Sequence, residues 1–177
     1  LTEAVNVDID NAGRACRRKG RAKVYTGTPH SLWSNTKGDL AFFVDDYILK
    51  QLAADYSATS LTALSSDLPM AFEEVNDVVV YSNGVEIGYA KAGVISSMPV
   101  PTEDFKVPVT PSTVLFLFNG RLYYALGNLL AYTDAYRLYS DKRNKRIPLP
   151  GPVEDGVGLN NGIWLSCGGK TYFIGGK

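Results

Sequence analysis

Val114-Leu115-Phe116-Leu117-Phe118, Asn119-Gly120, Arg121-Leu122-Tyr123-Tyr124-Ala125-Leu126, Gly127-Asn128 and Leu129-Leu130-Ala131-Tyr132 follow one another without a gap. They read as three short apolar strands joined by two two-residue turns. Asn-Gly readily takes positive φ at both central positions, as a type I′ hairpin turn requires, and Gly-Asn puts glycine first, as type II′ prefers. The flanking Tyr, Phe, Leu and Val suit a pleated, half-buried surface. The stretch predicts an antiparallel meander.

Elsewhere the chain repeats it. Val75-Asn76-Asp77-Val78-Val79-Val80-Tyr81 leads to Asn83-Gly84 and then Val85-Glu86-Ile87-Gly88-Tyr89. Asn160-Asn161-Gly162-Ile163-Trp164-Leu165 leads to Gly168-Gly169 and Thr171-Tyr172-Phe173-Ile174. A weaker copy is Phe42-Phe43-Val44-Asp45-Asp46-Tyr47-Ile48-Leu49. The turn residues Asp46, Asp77, Gly120 and Gly162 fall about 30 to 45 residues apart, the period of one four-stranded propeller blade. The expected fold is all-β: a propeller-like array of about four antiparallel blades, part of a larger or incomplete propeller.

As one domain, 1–177, the blades fall at 30–68, 69–98, 112–152 and 153–177, with 1–29 supplying opening or closing strands. Between the second and third blades, Met98–Pro111 holds four prolines in fourteen residues. Proline lacks the N–H that a helix interior or a central strand needs, so a stiff extended connector is expected. Helical spacing of Ile48, Leu49, Leu52 and Ala53 competes over Tyr47–Tyr56, but the blade pattern favours strand there.

With 177 residues, 45% of them hydrophobic, and no net formal charge, the chain can bury a sizeable core. Neutrality argues against a general nucleic-acid binder. No run approaches the ~18 consecutive apolar residues of a membrane span, and the start has no basic-then-apolar leader. Leu1 in place of Met points to processing or to a piece of a longer chain. Cys16 and Cys167 are too few for a disulfide framework and are read as unpaired thiols.

Near the start, Val5–Asp10 alternates like a strand, Asn11-Ala12-Gly13 makes a turn, and Lys23-Val24-Tyr25-Thr26 returns as a strand. Between them Arg14, Arg17, Arg18, Lys19, Arg21 and Lys23 put six cations in ten residues. Lys and Arg on a solvated hairpin edge discourage edge-to-edge pairing, which explains the run without a phosphate ligand. Arg14, Arg17, Arg18 and Lys19 remain candidates for an interaction surface. Tyr136 and Tyr139 join them, from the dense group Tyr123, Tyr124, Tyr132, Tyr136 and Tyr139. Exposed tyrosines suit sugar or protein contact, whereas tyrosines alternating along a strand are core.

Motifs with catalytic or ligand-binding precedent fail on inspection. Gly168-Gly169-Lys170-Thr171 lacks the earlier glycine of a phosphate loop and precedes a strand-like run. Asp8-Ile9-Asp10 opens like a calcium loop, but Ala12 and Lys19 stand where acidic ligands belong. His30, the single histidine, lies near Ser31, Ser34 and Asp39 with no nucleophile elbow or oxyanion hole. Asp45-Asp46 and Glu73-Glu74 are adjacent pairs, and neighbours in a strand point to opposite faces. No catalytic residue, metal or cofactor is therefore expected.

Several runs, in order, resemble the β-propeller virion proteins of tailed bacteriophages and prophages. They are Ala4–Asn11 with Gly13-Arg14 and Arg17-Arg18-Lys19-Gly20; His30-Ser31-Leu32-Trp33; Val79–Gly84; and Pro99-Val100-Pro101. Further on, Asn119–Tyr123, Gly127-Asn128, Tyr132-Thr133-Asp134, Gly162-Ile163-Trp164 and Lys170–Ile174 with Gly176 are similar too. The resemblance implies a structural part of the tail or head–tail region. Such a part is made in the bacterial cytoplasm, works in the virion, and is held in an oligomeric assembly by contacts with other virion proteins. Such propellers close with more blades than this chain supplies, so the missing part comes from a longer polypeptide or from a neighbour; closing a small ring would take the N-terminal strand. Two other functions stay open: a module binding a host-surface receptor or glycan, and a propeller hydrolase or lactonase.

Overall fold

A computed structural model describes residues 25–141, 143 and 146–175, together with the strand paths of 7–9 and 15–17. β1 (Val7–Ile9) and β2 (Ala15–Arg17) pair antiparallel, Asp8 opposite Cys16. The return strand is thus Ala15–Arg17 rather than Lys23–Thr26. Tyr25 and Thr26 are outside any strand, and Lys23 and Val24 lie outside the described residues.

Four sheets follow in sequence order. Blade one is β3 (His30–Ser34), β4 (Ala41–Asp45), β5 (Ile48–Leu52) and β6 (Ala58–Ala63). Blade two is β7 (Ala71–Val75), β8 (Val78–Ser82), β9 (Ile87–Lys91) and β10 (Val94–Ser97). After β11 (Lys106–Pro108), blade three takes β12 (Leu115–Phe118), β13 (Arg121–Leu126) and β14 (Leu129–Tyr132). β15 (Tyr139–Asp141) leaves that sheet to pair with β11, and β16 (Arg146–Pro148) returns as its outer strand. Blade four has three strands, β17 (Val153–Leu159), β18 (Gly162–Cys167) and β19 (Lys170–Gly175). Four antiparallel meanders stacked in this way make a four-bladed β-propeller.

The turns carry the backbone geometry that the sequence calls for. Asn119 and Gly120 have φ of 48° and 69°, and Gly127 has φ of 60°, with ordinary negative φ at Asn128. Two points of the repeat are corrected. Asn76 and Asp77 (φ 49° and 63°) break Val75–Tyr81 into the end of β7 and the start of β8, so it is not one strand. The Asp46-Tyr47 turn joins the second and third strands of blade one. It therefore matches Asn83-Gly84, Gly127-Asn128 and Gly168-Gly169, not the first turns at Asn76, Asn119 and Asn160. Within Tyr47–Tyr56, the residues Ile48–Leu52 form strand β5, with Leu49 opposite Val44, and the rest is turn and loop. Within the proline-rich connector, β11 forms an edge ribbon, a place where Pro108 is tolerated.

Stacking is driven by apolar faces. Phe42, Val44 and Leu49 of blade one meet Phe72, Val79 and Tyr81 of blade two. Val75 and Val80 meet Leu115, Leu122 and Tyr124 of blade three. Phe116, Tyr123 and Leu130 meet Ile163 and Leu165 of blade four. The middle blades are buried on both faces, so their strands read as continuous apolar runs, Val78–Tyr81 and Leu122–Ala125, rather than alternating ones. Blade four approaches blade three so closely that a Cβ on Gly156 would strike the Phe116 ring and one on Gly158 the Leu117 carbonyl.

Leu122 is fully buried between blades two and three. Leu122→Ala is expected to lower stability by about 2–5 kcal/mol, the usual range for a buried leucine truncation, read from the urea midpoint at unchanged slope.

Candidate functional site

The turns at Asn76-Asp77 and Ala92-Gly93 share one end of blade two, because a meander alternates its turns between ends. On blade three the Asn119-Gly120 turn and the loop after β14 share an end by the same rule. The two ends meet in a cleft of about 310 Å³, lined by Asn76, Lys91, Pro99, Tyr136, Arg137 and Tyr139, among others. Tyr136 is held by its own backbone: its N–H donates to the Gly120 carbonyl at 2.6 Å, with φ at 57°. Its ring lies where a Cβ on Gly120 would come within 2.7 Å, so glycine is needed there for space as well as for φ. The side chain is 63% exposed.

Beneath it a charged clip fixes the loop. Lys106 on β11 donates to Asp134 at 2.7 Å and lies 3.7 Å from Asp141 and 5.6 Å from the centre of the Tyr139 ring. Its hydrogen bond to Asp134 raises the Lys106 pKa above the ordinary lysine value. Arg143 grips Asp141 through Nη2 at 2.8 Å and Nε at 3.0 Å, while its guanidinium sits 4.0 Å from the Phe105 ring centre. That side-chain bond, helped by the Arg143 backbone N–H, holds the Asp141 carboxyl far below the usual carboxylate range. The cleft can offer an exposed aromatic face, two cations and an amide to a ligand.

Of the residues singled out from sequence, Tyr136 and Tyr139 come together here. Tyr123 and Tyr124 are core, and Tyr132 stacks 5.1 Å from Tyr123. Arg14, Arg18 and Lys19 lie outside the described residues, and for Arg17 only the strand path is described. Asn76, Lys91 and Arg137 carried no sequence signal. Asn76 and Lys91 share one end of blade two and Arg137 lies in the loop after β14, so only blade stacking brings all three together.

The lone histidine forms an unexpected array. His30 Nδ1 lies 2.9 Å from Ser31 Oγ, and Nε2 lies 3.1 Å from Asp67, not Asp39. Ser31 Oγ also accepts the Met70 N–H at 2.8 Å, and Asp67 accepts the Tyr47 N–H at 3.3 Å. The array thus pins the 64–70 connector between blades one and two onto blade one. Cys167 is a buried free thiol that donates to the Gly151 carbonyl. Lys170-Thr171 begins a strand, as its strand-like neighbours require.

The outward face of blade one holds a second network. Asp45 accepts Tyr25 Oη at 2.7 Å, Lys50 Nζ at 2.8 Å and the Thr28 N–H at 3.0 Å. Asp46, its sequence neighbour, is an exposed turn residue, so the two do not act as a pair. Beside this network Tyr25, Pro29, Leu32, Phe43, Leu52 and Tyr56 line an apolar groove of about 350 Å³.

No protein-family model and no curated protein matches the chain. Among solved structures it is similar to the computationally designed Ika4 protein, with a TM-score of 0.54 and 11% identity over 85% of this chain and 94% of that one. It is also similar to a catalytically inactive virginiamycin B lyase from Staphylococcus aureus with quinupristin (TM-score 0.52, 12% identity, 96% of this chain and 62% of the lyase). A Bacteroides thetaiotaomicron protein of unknown function gives a TM-score of 0.51 at 12% identity, over 82% of this chain and 46% of that one. The chain thus spans about three-fifths of the lyase and under half of the Bacteroides protein. At these identities the likeness shows the fold alone, that of a β-propeller. Among the described residues, no helix is long and apolar enough to cross a membrane.

The Lys50 and Tyr25 hydrogen bonds, in that order, lower the Asp45 pKa from the usual 3.8 to about 2. A depressed carboxylate contributes its full stabilisation above the unfolded value and loses it as pH falls through the folded one. Thermal melts should therefore stay flat in this contribution above about pH 5 and fall as pH drops past 3.8 towards about 2. Asp45→Asn should flatten that fall and loosen the Tyr25–Thr28 segment at neutral pH, read by amide hydrogen exchange at Thr28.

Proposed function

We propose that the chain is a non-enzymatic structural component of a bacteriophage particle, in the tail or head–tail machinery, acting through protein–protein contacts. The observation that carries this reading is the outward face of blade four. Val157, Trp164 and Phe173 form one apolar row across its three strands, and Leu159 extends it. All four are exposed. A contiguous apolar surface on a folded protein marks a place where another protein sits. The order of motifs resembling phage propellers supplies the setting.

The test is mass spectrometry of gradient-purified particles released from the source bacterium. Peptides of this chain should appear at a fixed multiple per particle and survive high-salt washing. Particles free of the chain would sink the proposal.

A second reading has its own observation: exposed Tyr136 beside Arg137, Lys91 and Asn76 in one cleft. Aromatic faces with polar neighbours suit glycan contact. On this reading a glycan array gives a hit that Tyr136→Ala weakens by at least about tenfold, the loss of roughly 1.4 kcal/mol of contact. An array with no hit removes it.

A further inference from the structure

We propose that the outward faces of blades four and one are the two halves of one more blade–blade interface, occupied by a second copy of this chain docked head to tail. This deepens the reading of blade four as an assembly surface and rests on it. The argument is one of equivalent positions. The third residue after the first turn of blades two, three and four is Val80, Tyr123 and Trp164. Val80 is 0% exposed and Tyr123 7%, each covered by the next blade, whereas Trp164 is 43% exposed.

The rows around these residues match as well. In blade three, Phe116, Tyr123 and Tyr132 are cross-strand neighbours with stacked rings 5.2 and 5.1 Å apart. In blade four the same row is Val157, Trp164 and Phe173, with the last two rings 5.0 Å apart. Blade three's row is covered by Ile163 and Leu165 of blade four. Blade four's row has the build of a covered face.

The complementary surface is the face of blade one turned away from blade two. Leu32, Leu52 and Tyr56 line its apolar groove, and Leu32 is 71% exposed. No hydrophobic cluster among the described residues joins blade four to blade one. Each internal contact sets the leading face of one blade on the trailing face of the next. The two faces left over are one leading and one trailing, which is the relation that a second copy satisfies. Residues 14–23, with six cations, are a poor cover for an apolar row. A head-to-tail contact of this kind closes when the second copy returns its own blade four to the first copy's blade one.

The experiment is sedimentation velocity on the purified 177-residue chain at micromolar concentration. The expected species has twice the 19.3 kDa chain mass. Trp164→Glu and Leu32→Glu should each raise the dissociation constant at least about 100-fold, as central anchor residues do. Both side chains are exposed in the single chain, so the circular dichroism spectrum should not change. Mixing Leu159→Cys with Leu32→Cys, both in a Cys16→Ser background, should give a disulfide-linked heterodimer on oxidation. A 19.3 kDa monomer, or a dimer that both glutamates leave intact, overturns the proposal. A chain present in particles yet monomeric alone keeps the particle role and loses this interface. A dimer broken by these substitutions but absent from particles does the reverse.

Discussion

Face-to-face burial of one small sheet against the next is the interaction on which this structure depends. A three- or four-stranded meander with two apolar faces, standing alone, would expose both to water. Val79 and Val80 illustrate the consequence: adjacent residues on one strand, both fully buried, one against blade one and the other against blade two's other neighbour. Stability is therefore a property of the stack, and the end blades are its weakest members. The same logic makes the uncovered faces of blades one and four the most consequential surfaces of the molecule.

Polar side chains hold the blades in register where apolar packing cannot. Glu86 accepts the Ser65 and Ser66 N–H groups and the Ser65 hydroxyl, pinning the connector from blade one to the lower turn of blade two. Ser82, fully buried, accepts the Ser112 N–H at 2.9 Å, and Ser112 in turn accepts the Ala125 N–H at the same distance. The Ser82 and Ser112 contacts satisfy backbone donors inside the stack, where an unmet one would be costly. At the opposite end the Lys106–Asp134 pair and the Arg143–Asp141 pair fix the loop that presents Tyr136. Precision of the loops thus comes from side-chain hydrogen bonds and ion pairs, and their spacing comes from the blades.

Local chemistry made much of this legible. Asn119-Gly120 and Gly127-Asn128 announce their own turn types because positive φ is a cost that few residues avoid. The first blade was harder, since its first turn is the longer Asn35–Leu40 loop and its tightest turn, Asp46-Tyr47, lies one strand later. A tight-turn repeat therefore places blade one a strand out of step with the others. The partner of β1 is hidden for a related reason: Lys23–Thr26 has strand-like residues, but pairing depends on what lies opposite, and Ala15–Arg17 lies opposite β1. Of the candidate site, the two tyrosines are visible as part of a dense tyrosine group, whereas Asn76, Lys91 and Arg137 are of types common on any surface.

The sequence by itself determined the antiparallel meander, the turn types of blade three and a count of about four blades, because each follows from residues within a few positions of one another. Only the tertiary structure decided which apolar residues are covered. Trp164 and Tyr123 occupy the same place in their strands and read alike in sequence, yet one is exposed and the other buried. The difference is whether a next blade stands against them, and that neighbour is set by the stack, not by the strand.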